Sequence, residues 1–131
     1  MPLIPHFFLL FLWGFTAVHF HDLPDEIPIH FNAKGVPDSY ATRIHSWGIP
    51  LIATFLFFTL NFPLRRMGVE THEKKVLFWM QVILMVIFCY IQYQSFLVAL
   101  KRSAGLGTWF LPLTIFLMLI PIFFGIQQGR K

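Results

Sequence analysis

The chain has 131 residues, of which 56% are hydrophobic, 18% are aromatic and only 12% are charged. A water-soluble globule of this size could not bury so many apolar side chains, because a large share of its surface must face solvent. The formal net charge of +4 comes from cations near the ends of apolar segments, without a basic stripe. We therefore expect a lipid bilayer as the environment and no nucleic-acid partner.

Four apolar segments contain no Asp, Glu, Lys or Arg: Leu3 to Phe20, Trp47 to Leu64, Val76 to Leu100, and Thr108 to Ile126. About 20 helical residues cross the roughly 30 Å hydrocarbon core of a bilayer. Backbone polar groups in lipid must pair internally, so we predict an all-α integral membrane protein with four transmembrane helices. Residues 1–64 would form one helical hairpin, 65–75 a cytoplasmic connector, and 76–131 a second hairpin packed with the first as one bundle.

Lysine and arginine placement predicts the orientation. If the connector and the C-terminal tail are cytoplasmic, the inner side carries Arg65, Arg66, Lys74, Lys75, Arg130 and Lys131, and the outer side carries Lys34, Arg43, Lys101 and Arg102. We therefore predict a multi-pass protein of the cell membrane, with both termini cytoplasmic and loop 21–46 extracytoplasmic. Arg65 and Arg66 are candidates for contact with anionic headgroups.

One face of the third predicted helix is more polar than the rest. Spacings of three and four residues put the following side chains on one stripe: Gln81, Met85, Phe88, Gln92, Ser95 and Ala99. A polar pathway through the bundle is one interpretation of Gln81, Gln92 and Ser95. We favour the other, a helix-packing stripe that makes interhelical hydrogen bonds. Transport is disfavoured, because the segments have no acidic residue, Lys or Arg at mid-depth.

Loop 21–46, named the cap from here on, has patterns typical of an ordered segment. Ile27, Ile29 and Phe31 alternate with Pro28 and His30, which predicts an extended segment whose apolar side faces the helices. Residues 32–35, reading Asn-Ala-Lys-Gly, predict a turn. Beyond Pro37, a short helix capped by Asp38 or Ser39 is expected to lead through Ile44 into the second span.

Histidines and carboxylates are concentrated in and beside the cap. His19, His21 and His30 are weak candidates for zinc ligands, because the His19-x-His21 spacing puts the two rings on different faces of a helix. We favour a structural role, in which His30 and Asn32 hydrogen-bond the turn with Asp25 and Asp38 as partners. No metal and no cofactor is therefore assigned. Catalytic sequence signatures are absent from the chain, and we expect a protein that is not an enzyme.

The cap motif resembles a known family. Leu23-Pro24-Asp25, Ile27-Pro28, His30-Phe31-Asn32, Gly35 and Pro37-Asp38 are similar to the LPDxIPxHFNxxGxPD signature of the bacterial membrane family known as domain of unknown function 1648, or DUF1648. The resemblance covers roughly residues 1–64, and it implies that the motif joins two transmembrane helices. It also implies a relation to SdpI-like immunity proteins, which protect a cell against a secreted toxin and in some cases signal by holding a transcriptional repressor at the membrane.

The sequence thus favours recognition or sensing at the envelope surface, with SdpI-like toxin immunity or signalling as a more specific hypothesis. Partners would be a peptide toxin, another membrane protein or further copies of the chain. The binding loop would consist of Pro24, Asp25, Pro28, His30, Phe31, Asn32, Gly35, Pro37 and Asp38. Two alternatives remain open, namely a metal-binding membrane enzyme and a structural subunit of a membrane complex.

Overall fold

The computed structural model describes residues 3–66 and 72–130. Its helices are α1 (Leu3–His19), α2 (Gly48–Arg66), α3 (His72–Ala99) and α4 (Phe110–Gly129). Each of the four lies in a segment that is long and apolar enough to cross a membrane. The prediction of four transmembrane helices is therefore confirmed.

The helix ends differ from the predicted segments on the side away from the cap. α2 continues through Arg66, and α3 already begins at His72, so Lys74 and Lys75 belong to the first turns of α3 and not to a connector. The middle of the predicted connector, residues 67–71, lies outside the described residues, as does the C-terminal Lys131. With 28 residues, α3 is about 42 Å long, which exceeds the hydrocarbon core and extends the helix into the interface.

The cap contains a β-hairpin that the all-α prediction omits. After a 3-10 turn at Phe20–Asp22, strand β1 (Glu26–Phe31) pairs antiparallel with strand β2 (Pro37–Thr42), and a second 3-10 turn (Arg43–Trp47) leads into α2. The short helix predicted from Asp38 or Ser39 is thus wrong up to Thr42. Residues 37–42 lack the alternation of a half-buried strand, and they are extended because β1 offers them backbone partners.

The register of the hairpin changes near His30. Pro28 lies opposite Tyr40, but His30 lies opposite Ser39, with irregularities on both sides of His30. An extra residue in one strand turns the following side chains to the other face. Ile27 and Pro28, which precede the irregularity, are both buried, whereas Ile29 is 47% exposed. Ile29 is therefore not buried together with Ile27, as the predicted alternation would require.

The core lies between the first three helices. Leu12 of α1, Ala53 and Phe57 of α2, and Met85 of α3 form one buried apolar cluster. A second cluster joins the cap to α3 and consists of Leu23, Ile27 and Phe96. The cap is thus seated on the bundle by apolar contacts, as a folded loop and not as a free linker.

Helix α3 is the central element, because it contacts α1, α2, β1 and α4. Helix α4 packs mainly on α3, and much of its surface consists of exposed large apolar side chains, as expected for a helix that faces lipid. The loop between α3 and α4 lies at the same end of the bundle as the cap, since the backbone N–H of Leu106 donates a hydrogen bond to the carbonyl oxygen of Gly35. Arg66 and Lys75 lie at the opposite end.

Candidate binding cavity beneath the cap

The tip of the cap is a turn organised by Asn32. The side-chain oxygen of Asn32 accepts hydrogen bonds from the backbone N–H groups of Lys34 (2.9 Å) and Val36 (3.1 Å). The backbone N–H of Asn32 donates a hydrogen bond to the carbonyl oxygen of Val36, and the carbonyl oxygen of Asn32 accepts one from the N–H of Gly35. Gly35 has a φ of +77°, a conformation that suits glycine. Asn32 and Gly35 therefore shape the turn that the sequence predicts at this position.

His30 and Asp38 join the two strands. His30 Nδ1 lies 2.6 Å from Asp38 Oδ1, and both side chains are largely exposed. Asp25 contributes through its backbone, because its carbonyl oxygen accepts a hydrogen bond from the N–H of Arg43. His30 thus has the partner Asp38, one of the two carboxylates that the sequence suggests. An exposed pair of this kind adds about 1 kcal/mol or less to stability.

Gln92 connects the cap to two helices. Its Nε2 group donates hydrogen bonds to the hydroxyl oxygen of Thr16 in α1 and to the carbonyl oxygen of Ser46 just before α2, both at 2.8 Å. Gln81 donates to the carbonyl oxygen of Phe57 in α2 at 3.3 Å. Both glutamines are buried. Of the three polar residues of the predicted stripe, Gln81 and Gln92 thus lie at helix interfaces, and Ser95 faces a cavity beneath the cap.

This cavity, of about 370 Å³, lies between the underside of the cap and the ends of the helices. Its volume falls in the range of roughly 300–1,000 Å³ that is typical of ligand sites. The walls are mostly apolar. They are formed by Leu23, Ile27, Pro28, Ile29, His30 and Phe31 from the first part of the cap, by His45, Ser46, Gly48, Ile49 and Ile52 around the start of α2, and by Ile91, Gln92, Ser95, Phe96, Leu106 and Phe110 from the second half of the chain.

Ser46 is the unusual polar group of this wall. The residue is only 3% exposed. Its Oγ atom is buried, and no residue that the structure describes supplies a hydrogen-bond partner for it. A buried hydroxyl without a partner costs about 1–3 kcal/mol, so such groups are rare in folded proteins. No local sequence pattern marks Ser46, because its role depends on burial that only the assembled cap creates.

The cavity is open on two sides. Two of its apolar lining residues are half-exposed, Ile29 of β1 at 47% and Ile52 of α2 at 51%. Ile52 lies in a segment that is apolar enough to cross a membrane. One open side therefore lies beside a candidate membrane span, at Ile52, and the other lies beside the cap, at Ile29.

Several of the motif residues do not face the cavity. Pro24, Asp25 and Asp38 are exposed, and Pro37 is partly buried opposite Phe31 in the hairpin. The residues of the predicted binding loop that line the wall are Pro28, His30 and Phe31. The motif therefore has two parts, an outer part that fixes the hairpin and an inner part that forms the roof of the cavity.

The candidate metal ligands are not gathered into one site. His19 Nδ1 lies 3.6 Å from Asp22 Oδ2, His21 packs its ring against Phe20, and His30 pairs with Asp38. Across residues 3–66 and 72–130, no group of three His, Cys, Asp or Glu side chains is close enough to hold a metal ion.

Sequence reasoning missed the glycines that bring the second half of the chain onto the cap. A Cβ atom at Gly35 would collide with the backbone of Gly107, and a Cβ atom at Gly105 would collide with the carbonyl oxygen of Gly35. Tyr90 supports this contact by donating a hydrogen bond to the carbonyl oxygen of Leu106 at 2.9 Å. The Gly-Leu-Gly spacing in this loop is a signal of a tight backbone approach.

The comparison with protein families agrees with the motif. A family model for a domain of unknown function, DUF1648, matches residues 7–54, which include most of α1, the cap and the start of α2. No curated protein and no solved structure matches the chain. The roof of the cavity thus lies inside the matched region, whereas Gln92 and Ser95 lie outside it. The resemblance inferred from the cap motif is confirmed, and the chain is a multi-pass membrane protein that contains a DUF1648 domain over residues 7–54.

Proposed function

We propose that this protein is a membrane-embedded recognition protein, and that its ligand binds in the cavity beneath the cap. The observation that carries the proposal is the Oγ atom of Ser46, which is buried at the mostly apolar wall of the cavity and has no hydrogen-bond partner among the described residues. The function is one of binding, and it includes no catalytic step.

The cavity wall defines the chemistry of the ligand. Apolar side chains such as Ile49, Ile91 and Phe96 favour a hydrocarbon chain or an apolar peptide side chain. A ligand with one hydroxyl, carbonyl or amide group at the right depth would pair with Ser46 and remove the cost of its unpaired hydroxyl. We therefore expect an apolar ligand with a single polar group, which enters from the bilayer beside Ile52.

Photo-crosslinking tests this assignment directly. The purified protein in phosphatidylcholine nanodiscs is exposed to a long-chain alcohol that carries a diazirine on its hydrocarbon chain. We expect cross-links to concentrate on the lining residues of α2 and α3. The variant Ser95→Trp fills the cavity and should abolish these cross-links, whereas Ser39→Trp on the exposed side of the hairpin should not. Equal labelling of the cavity and of the lipid-facing side of α4 would refute the proposal.

A second pair of variants isolates the polar group. Ser46→Ala removes a hydroxyl that makes no bond among the described residues, so its melting temperature should be unchanged or higher. It should nevertheless weaken capture of the alcohol about five-fold, the equivalent of one hydrogen bond of about 1 kcal/mol. Ser39→Ala is the matched control. If both variants capture the alcohol equally well, Ser46 does not contact the ligand.

Toxin immunity or signalling of the SdpI-like kind is a more specific form of this proposal. It is supported by the cap motif and by a cavity with a mostly apolar wall that is open to both the cap surface and the bilayer. In this form the apolar ligand is part of a secreted peptide toxin. A strain without the gene should be killed by peptides from related strains and be rescued by the unaltered protein but not by Ser95→Trp. Equal survival of all strains would remove immunity as the role.

A further inference from the structure

A second apolar groove lies between α3 and α4 at the end of the bundle opposite the cap. It has a volume of about 410 Å³. Its walls include Trp79 and Ile83 of α3 and Ile120 and Phe124 of α4. Trp79 is 53% exposed, so the groove opens toward the surroundings of the bundle and not toward its core.

The two helices approach closely beside this groove. A Cβ atom at Gly125 would lie 2.6 Å from Cγ2 of Val76, so α3 and α4 are in close contact at this point and a larger residue would require the valine side chain to move. Small residues permit such close packing of helices in a bilayer. The contact fixes one side of the groove, while the large side chains of Trp79 and Phe124 extend from the helices on its open side.

One end of the groove is cationic. His72 and Lys75, both from the first turns of α3, line it there, and no acidic residue is among the described lining residues. His72 Nε2 lies 3.4 Å from the Glu73 carboxylate. Lys75 therefore supplies the positive charge at this end, and no carboxylate among the described lining residues opposes it. Trp79 follows one helical turn deeper, which is the usual arrangement of a tryptophan at a membrane interface.

We propose that this groove binds one anionic phospholipid. The ammonium group of Lys75 contacts the phosphate of the headgroup, with His72 beside it, and an acyl chain lies along Trp79, Ile83 and Phe124. The helical rise from Lys75 to Ile83 is about 12 Å, close to the roughly 15 Å depth of one leaflet. Charge and dimensions thus match a lipid that lies along the helix pair. The site is independent of the cap cavity and of the function proposed for it.

Native mass spectrometry of the full chain in detergent tests this assignment. The delipidated protein is titrated with phosphatidylglycerol and with phosphatidylcholine of the same acyl chains. We expect tighter binding of phosphatidylglycerol and an approximately five-fold loss of its affinity in Lys75→Gln, since one basic residue near a membrane surface contributes about 1 kcal/mol. Phosphatidylcholine binding should weaken much less in this variant, because the choline group balances the charge of its phosphate. Lys75 is exposed, so the variant is expected to fold.

Two controls distinguish a lipid site at Lys75 from diffuse attraction to the bundle end. Lys74→Gln removes a neighbouring charge that does not line the groove, and it should reduce phosphatidylglycerol binding much less than Lys75→Gln. Ile83→Trp fills the apolar part and should weaken binding of both lipids. Equal effects of the two lysine variants would mean diffuse attraction and overturn the proposal. Competition by inorganic phosphate at the same concentration as the lipid would identify a free-anion site and would overturn it as well.

Discussion

The backbone N–H of Leu106 donates a hydrogen bond of 2.7 Å to the carbonyl oxygen of Gly35. This bond joins the tip of the cap to the loop between α3 and α4, and the Tyr90 hydroxyl donates a hydrogen bond to the carbonyl oxygen of Leu106 in the same loop. The Leu106 side chain is buried and contributes to the cavity wall. The position of the cap therefore depends on the second half of the chain.

Substitution of Gly35 should release this contact. In Gly35→Ala the alanine would have to adopt an unfavourable positive φ, and its Cβ would collide with Gly107, so we expect a loss of about 2 kcal/mol or more. The apparent melting temperature in detergent should fall, and backbone amides of residues 103–107 should exchange faster. Gly14→Ala, in an open part of α1, is the control and should be at least as stable as the unaltered protein. Equal stability of the two variants would contradict the docking of this loop onto the cap.

Removal of the Gln92 side-chain amide should lower the free energy of unfolding of the helix bundle. Gln92→Leu leaves the hydroxyl of Thr16 and the carbonyl of Ser46 without this donor. Interhelical hydrogen bonds in membranes contribute about 0.6 kcal/mol on average, so two lost bonds and their unpaired groups should cost about 1–2 kcal/mol. Reversible unfolding in mixed micelles measures the difference. Gln127→Leu on the exposed side of α4 should have no comparable effect.

The turn at the tip depends on the side-chain oxygen of Asn32. Asn32→Ala removes the acceptor for the amides of Lys34 and Val36, and we expect a loss of about 1–2 kcal/mol. Hydrogen exchange at those two amides should accelerate. Asn32→Asp keeps an oxygen at the same position and should retain most of the protection. Slow exchange at both amides in Asn32→Ala would show that the turn does not need this side chain.

The turn that follows α3 contains a residue, Lys101, whose backbone conformation is strained. Lys101 has a φ of +60°, and the hydrogen bonds from its N–H to Val98 and from Arg102 N–H to Leu97 form the helix ending in which glycine is usual. Lys101→Gly should therefore raise stability by about 0.5–1 kcal/mol. Lys101→Ala removes the same charge without relief of the backbone. If it stabilises the protein equally, the gain is electrostatic.

The cap and the loop between α3 and α4 should be accessible to a labelling reagent from the same side of the membrane. In a Cys89→Ala background, Lys34→Cys and Arg102→Cys should react together with a membrane-impermeant maleimide, and Arg66→Cys should react from the other side. The predicted orientation adds that the first two are labelled in intact cells. Labelling of Lys34→Cys and Arg66→Cys from one side would contradict the four-span arrangement. Labelling of Lys34→Cys only after lysis would reverse the orientation.

The sequence predicts those features that depend on neighbours along the chain. The helices follow from uninterrupted apolar segments, and the turn at Asn32 and Gly35 follows from the backbone preferences of these residues. The exposure of Ile29 depends on a strand irregularity near His30, and β2 forms on the edge of β1. The cavity requires the cap, α2 and α3 together. Such features arise from contacts between distant segments, so local patterns do not contain them.

The hydrogen bonds of Gln92 join α3 to the region of the family match, which ends at residue 54. The matched hairpin presents Thr16 and the Ser46 carbonyl to a donor that a later helix supplies. Expressed alone, this hairpin would have to recruit a substitute donor from another polypeptide or from solvent. A hairpin of α1, the cap and α2 expressed without α3 should accordingly assemble poorly.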